Sequence, residues 1–130
     1  ELINPNAKEF LAPDNMIDAI RTYLKKPDLP IGDVLNSVYH SLANSYNEAV
    51  KIIEKVSGKQ IDLINIIGGG SKDKYLNELT KEYTGKKVLA GPTEATAIGN
   101  LIAQHMYADS TLTLEKSREI VKKSFSIEEV

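Results

Sequence analysis

Between Val34 and Val56 the apolar residues Val34, Leu35, Val38, Leu42, Tyr46, Ala49, Val50, Ile53 and Val56 recur every three or four positions. That spacing predicts one long amphipathic helix over residues 31–56, with Asn36, Ser41, Lys51 and Lys55 on its opposite face. Gly58 follows as a stop signal. A shorter stripe of Met16, Ile17, Ile20 and Tyr23 or Leu24 predicts a helix from Pro13-Asp14 to about Leu24, with Asp14 in the first turn, where the helix dipole favours an acid. Residues 1–12 read as an irregular lead-in, and residues 27–30, bounded by two prolines, as a break.

The pattern then changes period. Residues 61–67 are almost continuously apolar and rich in isoleucine, which predicts a strand buried on both faces of a parallel sheet. Gly68, Gly69, Gly70 and Ser71 make a turn, and Leu76 and Leu79 give the next helix, residues 73–83, an inward stripe before Gly85 ends it. A second short strand at residues 87–90 leads through Gly91-Pro92 into a helix rich in small residues that reaches about Met106. The last predicted helix, residues 113–124, has Thr113 as its N-cap and Val121 and Phe125 as core candidates. Only two strands are legible, too few for a stable sheet. Further strands are therefore expected before Glu1, with the chain as the C-terminal part of something larger. Loss of those strands would leave residues 61–67 as a bare apolar edge open to self-association.

Composition narrows the class of function. The 130 residues suffice for one domain (1–130), and 42% hydrophobic with 26% charged residues is ordinary for a folded soluble protein. A net charge of -2 with scattered lysines gives no reason to expect nucleic acid or an anionic membrane as partner. There is no cysteine, which excludes disulfides, thiolate metal sites and a cysteine nucleophile, and which fits a reducing, cytoplasmic setting.

The chemistry concentrates in the glycine turn. Glycines at the carboxyl end of a strand accept unusual backbone angles and remove the Cβ atoms that would block a ligand. The turn is neither a Walker loop, since Lys72 is out of frame, nor a dinucleotide fingerprint, which lacks its last glycine here. By itself it fits a tight strand-to-helix connection as well as a binding turn. Ala95, Ala97 and Gly99 in the later helix suit close packing. Glu94 reads as a first-turn acid of that helix, and His40 and His105 as isolated helix residues.

Two strings together carry a resemblance: residues 66–71 with 76–80, and Gly91-Pro92-Thr93-Glu94-Ala95-Thr96-Ala97-Ile98-Gly99-Asn100. They resemble the C-terminal domain of the FGGY carbohydrate kinases, most of all the members that act on L-rhamnulose. Residues 10–16, 41–46 and 118–125 extend the likeness over nearly the whole chain. The resemblance implies an α/β fold, the C-terminal part of an actin-like ATPase (ribonuclease-H-like) domain, helix-rich with a short parallel sheet. It implies transfer of the ATP γ-phosphoryl group, with Mg²⁺, to the 1-hydroxyl of a ketose. Gly68, Gly69, Gly70, Ser71 and Asp73 would contact the nucleotide, Gly69 above all. The family usually has Asn where this chain has Asp73, so the base contact is in question there, and a helix-start role is the competing account. The catalytic base would lie on an N-terminal domain, so the chain alone is expected to be inactive. A kinase for xylulose or fuculose, and a non-catalytic nucleotide-binding module, are the alternatives.

Overall fold

The computed structural model describes all residues from Glu1 to Val130. In chain order the elements are α1 (Met16–Leu24), α2 (Ile31–Ser57), β1 (Leu63–Ile66), α3 (Lys74–Thr84), β2 (Lys87–Ala90), α4 (Ala95–Ala108), α5 (Leu114–Ser124) and β3 (Glu128–Glu129), with short 3-10 turns at Lys8–Phe10 and Gly69–Lys72. The chain forms two compact units, one of Glu1–Ile61 and Leu79–Gly85, the other of Asp62–Glu78 and Lys86–Val130.

The first unit is helical. Its core joins Ile3, Ile20 and Val34, with Phe10, Ile17, Leu24, Leu29 and Val38 packed around them. The lead-in is tied down by hydroxyls on the buried face of α2. The Ile3 N–H donates to Ser41 Oγ at 2.8 Å, and Ser37 Oγ donates to the Glu1 carbonyl at 2.6 Å. Ser37 and Ser41 therefore face inward, whereas the apolar spacing had put Ser41 on the outer face. Asn15, one residue beyond Asp14, caps α1 through its Oδ1. Gly58 ends α2 in a left-handed conformation, as the sequence predicts.

The second unit carries the sheet. β1 and β2 pair in parallel, Leu63 opposite Lys87 through Ile66 opposite Ala90. β3 adds to the other side of β2 in antiparallel register, so the parallel pair becomes a mixed three-stranded sheet with order β1-β2-β3. Val88, at the sheet's centre, is fully buried. β1 differs from the expectation of a strand covered on both faces: exposed Leu63 and Asn65 alternate with half-buried Ile64 and Ile66. Its apolar run encodes two covered faces, but the face of Leu63 and Asn65 is exposed, and the strand is also the edge of the sheet. Thr113 caps α5 as expected, accepting from the Lys116 N–H at 3.3 Å, while Phe125 is partly exposed and is not a core anchor. In the preceding turn the Thr111 hydroxyl and N–H both bond the Asp109 carboxylate and hold it below the usual carboxylate range. No helix is long and apolar enough to cross a membrane.

Candidate functional site

The glycine turn lies at the carboxyl end of β1, and its three glycines have different surroundings. Gly68 has φ 77° and ψ -162°, a conformation that is essentially glycine's alone. Gly69 and Gly70 have no positive φ, and a Cβ built on either meets nothing within 4 Å. Both are exposed. The turn's own geometry therefore requires glycine at position 68 and leaves open space beside 69 and 70.

Ser71 closes the turn on itself. Its N–H and its hydroxyl both donate to the Gly68 carbonyl, at 3.1 and 2.7 Å. The Ser71 carbonyl in turn accepts from Asn77 Nδ2 at 3.0 Å. Asn77 is 2% exposed, and its Oδ1 accepts no hydrogen bond. Asp73 starts α3: its Oδ1 accepts from the Leu76 N–H at 3.1 Å, the geometry of an N-cap. Asp and Asn cap helices about equally well, so the acid here keeps that role.

The two strand-ending turns recognised in the sequence are brought together. The Gly91 N–H donates to the Ile66 carbonyl at 2.8 Å, and the Gly68 N–H to the Pro92 carbonyl at 3.2 Å. Beside them is an open concavity of about 220 Å³ whose walls include Ser71, Lys72, Lys74, Thr93 and Glu128. A larger concavity, about 510 Å³, lies in the helical unit between the lead-in and His40. Of its lining hydroxyls, Ser37 is engaged with the Glu1 carbonyl and Tyr83 with His40 Nδ1. No group of three or more His, Asp or Glu side chains gathers anywhere to hold a metal ion.

Other candidates fall into place. Glu94 is exposed and starts α4 through its carbonyl, which accepts from the Ile98 N–H at 3.0 Å. His105 is exposed in the last turn of α4. His40 is not isolated, since its Nδ1 sits 2.8 Å from the Tyr83 hydroxyl. Two contributors escaped the sequence. Asn77 left a signal, a polar residue next to the inward stripe of Leu76 and Leu79. The approach of residues 126–127 to Gly91 left none, because that segment carries no strand or helix pattern.

Residues 2–108 match the model of the FGGY family of carbohydrate kinases, C-terminal domain. The chain is 41% identical over 130 residues to a rhamnulokinase of Oceanobacillus iheyensis, a match that covers 97% of this chain and 28% of the relative. It is 42% identical to a rhamnulokinase of Halalkalibacterium halodurans, over 96% of this chain and 28% of the relative. With a rhamnulokinase of Bacillus subtilis it shares 40% identity, over 98% of this chain and 27% of the relative. The chain thus spans little more than a quarter of the length of these curated relatives. The glycine turn and the Gly91-to-Asn100 string both fall inside the matched region, and the chain belongs to the FGGY family of carbohydrate kinases.

Proposed function

We propose that the chain is the nucleotide-binding C-terminal part of a kinase that transfers the γ-phosphoryl group of ATP to the 1-hydroxyl of L-rhamnulose. The observation that carries the nucleotide reading is the empty space at Gly69 and Gly70. Neither glycine is needed for the backbone angles or for packing within its unit, yet both stand exposed at the carboxyl end of a strand. A ligand that must approach the backbone closely accounts for both.

In this reading Gly68, Gly69, Gly70 and Ser71 form the nucleotide-facing turn. Ser71 and Asn77 hold its shape through the bonds to Gly68 and Ser71. Asp73 fixes the start of α3 next to the adenine end. Lys72 and Lys74, both exposed beside the concavity, favour an anionic ligand. The ketose 1-hydroxyl oxygen bonds to the γ-phosphorus as the bond to the β–γ bridging oxygen breaks. The hydroxyl proton passes to a base, leaving ADP and L-rhamnulose 1-phosphate. The base and most sugar contacts belong to the remainder of the enzyme, and the chain alone is inactive. Mg²⁺ needs one or two carboxylates beside the phosphates. Glu128, in the wall of the concavity, is one carboxylate of this chain near the turn. The choice of L-rhamnulose rests on the relatives named rhamnulokinase. The absence of cysteine is compatible with work in the cytoplasm.

Steady-state kinetics of the full-length enzyme test this function. Gly69→Val is expected to raise the KM for ATP at least roughly tenfold by filling the space a ligand needs, while the ketose KM stays within about twofold. Unchanged ATP KM in a folded Gly69→Val enzyme would remove the nucleotide assignment. A screen of L-rhamnulose against xylulose and fuculose tests the sugar, and preference for either of the latter would overturn it.

A further inference from the structure

The residues after α5 are placed to act on the turn pair. Gly91 has φ 112°, and a Cβ built on it would lie 2.5 Å from the Ser126 carbonyl oxygen. No other glycine of the chain has a neighbour this near. The backbone of residues 126–127 therefore rests directly on Gly91. Two further attachments fix this strap along β2: the Val130 N–H donates to the Val88 carbonyl at 3.0 Å, and Lys87 Nζ pairs with Glu129 at 2.8 Å. From Gly91 the contacts continue to the glycine turn, through Gly91 N–H to Ile66 and Pro92 carbonyl to Gly68. Ser126 and Glu128 also line the concavity beside Ser71. The family match ends at residue 108, whereas the rhamnulokinase relatives match 97% of the chain and so most of residues 109–130.

We propose that residues 126–130 are a positioning strap: by bracing Gly91 they hold the Gly91-Pro92 turn, and through it Gly68–Ser71, in the geometry that receives the nucleotide. This inference rests on the nucleotide reading above. It makes Gly91 and the strap backbone determinants of ATP affinity although neither is asked to touch the reacting atoms.

The test uses the full-length enzyme with Val130→Pro, which removes the donor to Val88, and Ile127→Ser as a second, independent loosening of the strap. Loosening is expected to speed hydrogen exchange at the Gly68 and Gly91 amides and to raise the ATP KM roughly three- to tenfold, the scale of one lost hydrogen bond. The ketose KM and the unfolding midpoint should change little. Gly91→Ala should weaken ATP binding more in the intact enzyme than in the Val130→Pro background, because a displaced strap no longer meets the added methyl group. Unchanged exchange at Gly68 and Gly91 in both strap variants would overturn the proposal. So would additive effects in the Gly91 cycle, or equal losses for ATP and ketose. Faster exchange with unchanged ATP KM overturns it too, and Gly69→Val then separates the causes. If that variant weakens ATP binding, only the strap is wrong; if it does not, the nucleotide reading has failed as well.

Discussion

Gly68, Gly69 and Gly70 read as one feature in the sequence, and the structure separates them. At Gly68 the φ of 77° means that a Cβ strains the backbone. At Gly69 the φ is not positive and the neighbouring space is empty, so an alanine fits and lowers the entropy of the unfolded chain. Gly68→Ala is therefore expected to destabilise the protein by about 1–3 kcal/mol. Gly69→Ala should be neutral or stabilising, by up to about 1 kcal/mol. Urea unfolding midpoints of the two variants check the pair, and a Gly69→Ala protein as unstable as Gly68→Ala would show that the turn needs both glycines for folding. Asp73 illustrates a second limit of the sequence. Its residue type allowed an adenine contact or a helix start, and only the 3.1 Å bond to the Leu76 N–H distinguishes a capping role.

Helices were legible because their apolar stripes sum over several turns. The long stripe from Val34 to Val56 predicts residues 31–56, and α2 runs Ile31–Ser57. The start of α5 was legible because Thr113 caps it, whereas at α1 the cap is Asn15, one residue beyond the Asp14 that the sequence singled out. β3 was not, since it exists only because the open edge of β2 offers carbonyl and N–H partners to Glu128 and Glu129. The small-residue pattern of α4 was legible as a pattern but not in its purpose. A Cβ on Gly99 meets nothing within 4 Å, and Gly99, Ala97 and Leu101 are all exposed. Within this chain, then, no close helix packing offsets the cost of glycine in mid-helix. Gly99→Ala is expected to stabilise by about 0.8–1 kcal/mol, read as a higher denaturant midpoint with an unchanged slope. A destabilised variant would reveal a neighbour that closes on this face of α4.

At the scale of the molecule, the α/β character and the two strand-ending turns were legible in the sequence, because each strand is followed by its own glycine signal, whereas the hydrogen bonds that join the turns were not. Nor were the strand's surroundings. A run as apolar as residues 61–67 predicts cover on both faces, but β1 stands at the sheet edge with Leu63 39% and Ile67 58% exposed. Such an edge offers backbone donors and acceptors flanked by apolar side chains, the combination that pairs readily with another strand. β2 is protected on its far side by β3, whereas β1 has no neighbour beyond it in the sheet. The 130-residue chain on its own is therefore expected to self-associate through β1. Light scattering across a concentration series should show a mass that rises with concentration. Leu63→Lys, which places a charge on the exposed edge without touching the β1–β2 ladder, should shift the association to higher concentration. If the chain scatters as a monomer at every concentration, or if Leu63→Lys leaves the association unchanged, the edge is not the contact. The exposed apolar residues Ile52, Ile53 and Val56 on α2 then become the next surface to mutate.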